Sequence, residues 1–98
     1  MAFARVARWE GGDADAIRKS AEDMKSQAES GPPEGVPSNG FTLLIDPESG
    51  RSLAVGFFET EEDYRKGDET LNSMTPEDNG TGSRVSVEKY EVALDLRL

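Results

Sequence analysis

The chain contains no cysteine and no histidine. The first absence excludes disulfides, thiolate ligands and a cysteine nucleophile, and the second removes the commonest general base and the commonest metal ligand. Basic residues are scarce as well: eleven Lys and Arg stand against twenty Asp and Glu, a net charge of -9. A surface of that sign repels phosphate backbones and anionic lipid headgroups, so nucleic acid is not an expected partner. No apolar run approaches the roughly 20 residues of a membrane span, and Met1 to Gly12 lacks the continuous apolar core of a signal peptide. No membrane is expected, and the expected location is cytoplasmic. A chain of 98 residues reads as a single domain, 1–98, with one modest core.

The stretch that organises the remainder is Phe41 to Asp63. Phe41 to Ile45 and Leu53 to Phe58 are apolar runs of strand length, separated by Asp46-Pro47-Glu48-Ser49-Gly50. Pro47 presets a turn and Gly50 tolerates positive φ. Thr60 offers an oxygen to cap a helix whose first turn, Glu61-Glu62-Asp63, carries the charge that a helix N-terminus favours.

Upstream, Ala2 to Trp9 alternates as a strand and Gly11-Gly12 ends it. Asp13 is an N-cap candidate for a helix from about Ala14 to Ser30, with Ile17, Ala21, Met24 and Ala28 as its apolar stripe. Ser30 to Gly40 is a proline-stiffened connection. Thr60 to about Met74 reads as a second helix with Tyr64, Gly67, Leu71 and Met74 on one side, where Gly67 allows close approach to a sheet. Thr75 to Ser83 is a polar, Gly-rich loop. Arg84 to Leu98 reads as a last strand whose phase switches between Val87 and Tyr90, which means a β-bulge near Glu88-Lys89 or two separate strands, and the bulge is the one expected.

The order is β-α-β-β-α-β. It predicts an α+β, ferredoxin-like fold with a four-stranded antiparallel sheet and both helices on one face. Leu43-Leu44-Ile45 and Leu53 to Phe58 are apolar at consecutive positions, so both sheet faces need cover while the helices reach only one. A second copy, related by a two-fold axis, is the expected cover.

In this pattern the chain resembles the dimeric α+β barrel proteins, among them the antibiotic biosynthesis monooxygenase-like and stress-responsive barrel domains. The residues that carry the resemblance are Gly40-Phe41, Asp46 with Gly50, the apolar run Leu53 to Phe58, and Phe58-Glu59-Thr60-Glu61-Glu62. The resemblance implies the fold and a homodimer. Many relatives have tryptophan where Phe58 stands, and the histidine of haem-degrading or metal-using relatives has no counterpart, so haem degradation is not implied. Cofactor-free oxygenases of the family deprotonate an aromatic substrate in a polar pocket, which does not require histidine.

Candidate ligand-binding residues are Arg5, Trp9 and Tyr64. Arg5 shares a strand face with Phe3, Ala7 and Trp9, so its charge needs either a ligand or a carboxylate, across strands or at the dimer contact. In the first case Arg5 would hold an anionic or phenolate oxygen, Trp9 would stack on an apolar ring, and Tyr64 would donate a hydrogen bond into the cleft. In the second they are structural. The acidic cluster Glu59 to Glu69 reads as a solvated helix face with Arg65 and Lys66 as partners, not as a metal site. No metal, no cofactor and no assignable catalytic residue is read from the chain. Three functions stay open: a homodimer binding a small apolar or aromatic molecule between sheet and helices, a cofactor-independent monooxygenase acting on such a molecule, and a purely structural dimer.

Overall fold

A computed structural model describes residues 2–29, 31, 35–73 and 82–96. Its elements follow the expected order: β1 (Phe3–Glu10), α1 (Ala14–Ala28), β2 (Gly40–Asp46), a 3-10 turn (Pro47–Ser49), β3 (Arg51–Phe58), α2 (Glu61–Ser73) and β4 (Ser83–Glu91). The strands form one sheet in the order β2-β3-β1-β4, and every neighbouring pair is antiparallel. This is the ferredoxin-like arrangement.

Local chemistry explains the boundaries. Asp13 accepts a hydrogen bond from the Ala16 amide and starts α1. Thr60 Oγ1 accepts from the Asp63 amide at 3.1 Å and starts α2. Pro47 opens the 3-10 turn and Gly50 closes it at φ 71°. At Gly50 a side chain is excluded twice, by that φ and by the Gly12 carbonyl 2.6 Å from where a Cβ would stand.

The helices do not seal their face of the sheet. α1 packs on β2 and the 3-10 turn, and α2 packs on β1 and β3. Among the described residues the buried apolar set is small: Ala4, Ala7, Ile17, Val36, Phe58 and Tyr64. Phe58 is fully buried and meets Tyr64 edge to face, with ring centroids 5.5 Å apart. Leu71 and Phe3 pack against that cluster. Along the stripe of α1, Ile17 is buried and Ala21 and Met24 are half-buried.

Gly67 acts as the sequence suggests. A Cβ there would stand 2.3 Å from Phe58 Cε1, so only a hydrogen lets α2 settle onto the ring.

The last strand corrects the sequence reading. The ladder between β1 and β4 runs regularly through Val87 to Glu91, with no bulge at Glu88-Lys89. The irregularity lies one turn of the pleat earlier, where Arg8 faces Ser86 and Trp9 faces Arg84, leaving Val85 as the extra residue. The phase argument assumed that one face alone takes apolar side chains. Here Val87 points to the helix side, opposite Ala7, and Tyr90 to the other side, opposite Ala4, so the two phases coexist in one regular strand. The strand also ends at Glu91, earlier than expected, and residues 92–96 join no ladder. The loop expected from Thr75 lies outside the described residues up to position 81, as do Ser30 and Met74.

Replacing Gly67 with alanine sets a helix-propensity gain of about 1 kcal/mol against overpacking on Phe58, a cost of about 1–3 kcal/mol. The clash here is severe, so we expect Gly67→Ala to lower Tm by about 5–10 °C. Thermal denaturation followed by circular dichroism checks this, and an unchanged or higher Tm would remove the contact from the account of how α2 is held.

Candidate functional site

Because residues alternate across a strand, the sheet register sorts side chains by face. Arg5 reaches α2, so its phase defines the helix side. One row across that side is Phe41, Gly56, Arg5 and Lys89; the next is Leu43, Ala54, Ala7 and Val87. The centre is therefore floored by alanine and glycine, with Phe41 and Leu43 along one wall and Arg5 along the other. Phe41 is 50% exposed although it lies on the helix side, and Leu43, Ala54 and Gly56 keep partial exposure. This part of the floor is therefore not fully covered by the helices.

Gly56 differs from Gly67 in a way that bears on function. Its φ is not positive, and the nearest atom to a Cβ placed there is Phe58 Cε2 at 3.5 Å, an ordinary contact. Neither backbone conformation nor internal packing requires glycine in the middle of this central strand. A glycine so placed weakens the strand and often marks where a ligand comes close.

Arg5 is 6% exposed. Its Nε donates to Asp68 Oδ1 at 2.7 Å and one Nη to Asn72 Oδ1 at 2.9 Å, both on α2. The carboxylate partner is thus on the helix, not across strands. Tyr64, one helical turn before Asp68, belongs to the same group: burial raises its phenol pKa, the nearby Asp68 carboxylate raises it further, and Arg5 opposes. Tyr64 therefore stays a neutral phenol at ordinary pH, fitted to donate a hydrogen bond and not to act as a base. Lys89 Nζ lies 5.2 Å from the Tyr64 ring centre and 5.0 Å from that of Phe3, and it pairs with Glu61 at 3.0 Å. That pairing, with Arg65 as a further cation, holds the Glu61 carboxyl below its usual range.

Of the residues singled out from sequence, the structure brings Arg5 and Tyr64 together. Trp9 shares their face but sits four residues along β1, about 13 Å away. There it borders a separate open groove of about 230 Å³ whose lining is drawn mostly from the opposite face of the sheet, with Arg8, Leu44, Arg51 and Leu53. Phe41, Ala54 and Gly56 were not singled out, because their meeting at one row is a matter of register. The signal available was Gly56 itself, a glycine inside an apolar strand. On α2, Lys66 and Glu62 approach to 3.5 Å and Arg65 and Glu61 to 3.8 Å, both exposed i,i+4 pairs as the sequence suggested.

Sheet order and helix placement define a ferredoxin-like α+β fold. That fold is shared with MhuD, a heme-degrader from Mycobacterium tuberculosis whose structure has two hemes bound in its active site. The TM-score is 0.63, over 97% of this chain and 99% of that one, at 18% sequence identity. A point mutant of MhuD with two manganese protoporphyrin IX bound per active site aligns at a TM-score of 0.59 over 99% of both chains, at 19% identity. At such identities the likeness is one of fold. No protein-family model matches the chain, and no curated protein matches it. Among the described residues no helix is long and apolar enough to cross a membrane.

Asp68→Ala would strand the Arg5 charge under α2. Asp68 is one-third exposed, so the expected loss is about 2–3 kcal/mol, below the 3–5 kcal/mol for a fully buried pair. Urea denaturation should show the loss, and Asp68→Asn should recover part of it. If Asp68→Ala is neutral, water is serving Arg5 and the guanidinium is available to a ligand.

Proposed function

We propose that this chain is a cytoplasmic homodimer that binds a small, flat apolar or aromatic molecule in the gap between sheet and helices. The observation that carries the reading is Gly56, a glycine without a conformational or packing reason, set between the half-exposed Phe41 and the buried Arg5. A ring laid on Gly56 and Ala54 would stack against Phe41. Its oxygen would meet the Tyr64 hydroxyl and the Arg5 edge not engaged by Asp68 and Asn72. The hemes bound in the active site of the structural neighbour support a small-molecule site on this fold.

The ligand of those neighbours does not transfer with the fold. Heme iron in proteins is held by histidine, cysteine thiolate or tyrosine, with methionine serving beside histidine. This chain has no histidine or cysteine, and Tyr64 is held as the neutral phenol. Cofactor-independent oxygenation is the second reading, supported by the convergence of Arg5 and Tyr64 at one end of the floor. There the pair would stabilise a substrate phenolate, while Tyr64 would not remove the proton.

The dimer rests on the other face. Its rows are Gly40, Phe57, Ala4, Tyr90; then Thr42, Val55, Val6, Glu88; then Leu44, Leu53, Arg8, Ser86. No helix covers them, Leu44 is 51% and Tyr90 50% exposed, and Arg8, Glu88 and Tyr90 are joined by hydrogen bonds of 2.6 Å. Each large apolar side chain withdrawn from water there contributes about 1.5–3 kcal/mol.

Sedimentation at micromolar concentration should give twice the 10.7 kDa chain mass, and Val55→Arg, at the centre of the open face, should give a folded monomer. A wild-type monomer contradicts the dimer.

For the site, amide chemical shifts should be followed as planar aromatic acids and phenols are added. Shifts should centre on Phe41, Gly56 and Arg5, and Gly56→Leu should weaken binding at least about tenfold, or 1.4 kcal/mol, with the dimer intact. Shifts absent from that row, or indifferent to Gly56→Leu, leave the purely structural dimer as the better account.

A further inference from the structure

Two cations stand opposite each other on the helix side of the sheet. Arg5 on β1 and Lys89 on β4 are direct cross-strand partners, an arrangement that is unfavourable for like charges. α2 answers each with its own acid: Asp68 takes Arg5 at 2.7 Å and Glu61 takes Lys89 at 3.0 Å. Glu61, Tyr64 and Asp68 fall at i, i+3 and i+7, on one side of the helix. Tyr64 therefore lies between the two ion pairs.

The pairs are not equivalent. Arg5 is buried and bound by two side chains of α2, which makes it part of how the helix is held. The Lys89 and Glu61 side chains keep 39% and 52% of their exposure, so as an ion pair they contribute little. What distinguishes Lys89 is where its ammonium goes. Nζ reaches toward Phe3, two residues from Arg5 along β1 and on the same face, and lies 5.0 Å from that ring centre and 5.2 Å from the centre of the Tyr64 ring, within cation–π reach of both. The Tyr64 ring also meets Phe58 edge to face, at 72°. Among the described residues no hydrogen bond ties the Tyr64 hydroxyl. The orientation of the ring, and with it the direction of that hydroxyl, depends on the contacts with Phe58 and Lys89.

We infer that Lys89 is a positioning residue of the ligand site: its ammonium, set between the Phe3 and Tyr64 rings and anchored by Glu61, holds the Tyr64 hydroxyl toward Arg5. The inference rests on the binding site proposed above and adds the residue that orients its neutral hydrogen-bond donor. Lys89 itself stays clear of the ligand, one strand beyond Arg5 from Gly56. The role needs charge and not bulk, because a cation is drawn to the face of an aromatic ring whereas an apolar side chain of the same length is not. It also accounts for the pairing of Lys89 with Arg5, whose like charges are separated by the reach of Nζ toward Phe3 and Glu61.

Ring-labelled tyrosine tests this by nuclear magnetic resonance. The chain has two tyrosines, and Tyr90, on the open face, is the internal control. In Lys89→Met, which keeps the length of the side chain and removes its charge, the Tyr64 ring signals should shift and the ring should flip faster, while the flipping of Tyr90 holds; Lys89→Arg should restore both. The effect on the site is read with 2-naphthol, a planar phenol without a carboxylate. Lys89→Met should weaken its binding about fivefold, and Lys89→Arg should recover it to within about twofold. In a Tyr64→Phe background the same Lys89→Met substitution should change binding less than about twofold, since no hydroxyl is left to aim. A loss of equal size in both backgrounds, or a Tyr64 ring indifferent to Lys89→Met, overturns the positioning role and leaves the binding site standing. A wild type in which 2-naphthol moves no amide of Phe41, Gly56 and Arg5 overturns both.

Discussion

The contact on which the structure depends is the ring of Phe58 held between sheet and α2. It is the one large aromatic side chain with no exposure. It ends β3, two residues before the Thr60 cap, so strand, ring and helix start follow within a few residues of sequence. α2 comes down over the ring because Gly67 offers no side chain. With Tyr64 packed edge-on and Val36 and Leu71 beside it, this cluster fixes the helix. The fixed helix then carries Asp68 and Asn72 to Arg5. A buried guanidinium is tolerable here because α2 is already in place; the ion pair sets the helix register more than it contributes net stability.

The same contact leaves one side of the sheet incompletely roofed. With α2 held over β1 and β3 and α1 placed on β2 and the 3-10 turn, the floor residues Ala54 and Gly56 between them stay partly exposed. A chain optimised only for a single-copy core would fill that floor with larger side chains, since each buried methylene contributes about 0.8 kcal/mol. Under the proposed function, small residues at the sheet centre, beside a buried Arg and a neutral Tyr, would trade stability for space and hydrogen-bond donors.

Element order, both caps, the turn at Pro47 and the close approach at Gly67 were legible in the sequence, because each rests on local chemistry: a capping oxygen, a proline ring, a glycine on an apolar helix side. The bulge was misplaced because phase alone does not identify the faces. Val87 and Tyr90 serve different faces of a sheet that is apolar on both, and only the register with β1 reveals Val85 as the residue without a partner. The partner of Arg5 was equally out of reach. That a carboxylate or ligand was needed follows from burial, but Asp68 lies 63 residues away, and nothing local distinguishes it from Asp63 or Glu69. Trp9 shows the limit of sharing a face: same phase, different end of the sheet.

Charge links the two faces. With a net charge of -9, bringing two copies together costs repulsion that scales with exposed acid, and eight of the twenty acidic residues lie on the two helices, away from the open face. On the open face the hydrogen bond donated by the Tyr90 hydroxyl holds the Glu88 carboxyl below its usual range, and the Arg8 guanidinium adds to it. In the proposed dimer the face would offer a second copy apolar rows around a hydrogen-bonded, locally neutral centre. Such a centre admits a like-charged partner while favouring one register, because a shifted copy would leave Arg8 or Glu88 against leucine without water. The absence of histidine makes the arrangement constant: no side chain of ordinary pKa changes charge between about pH 5 and 8. The registration of the two sheets would therefore not vary over that range.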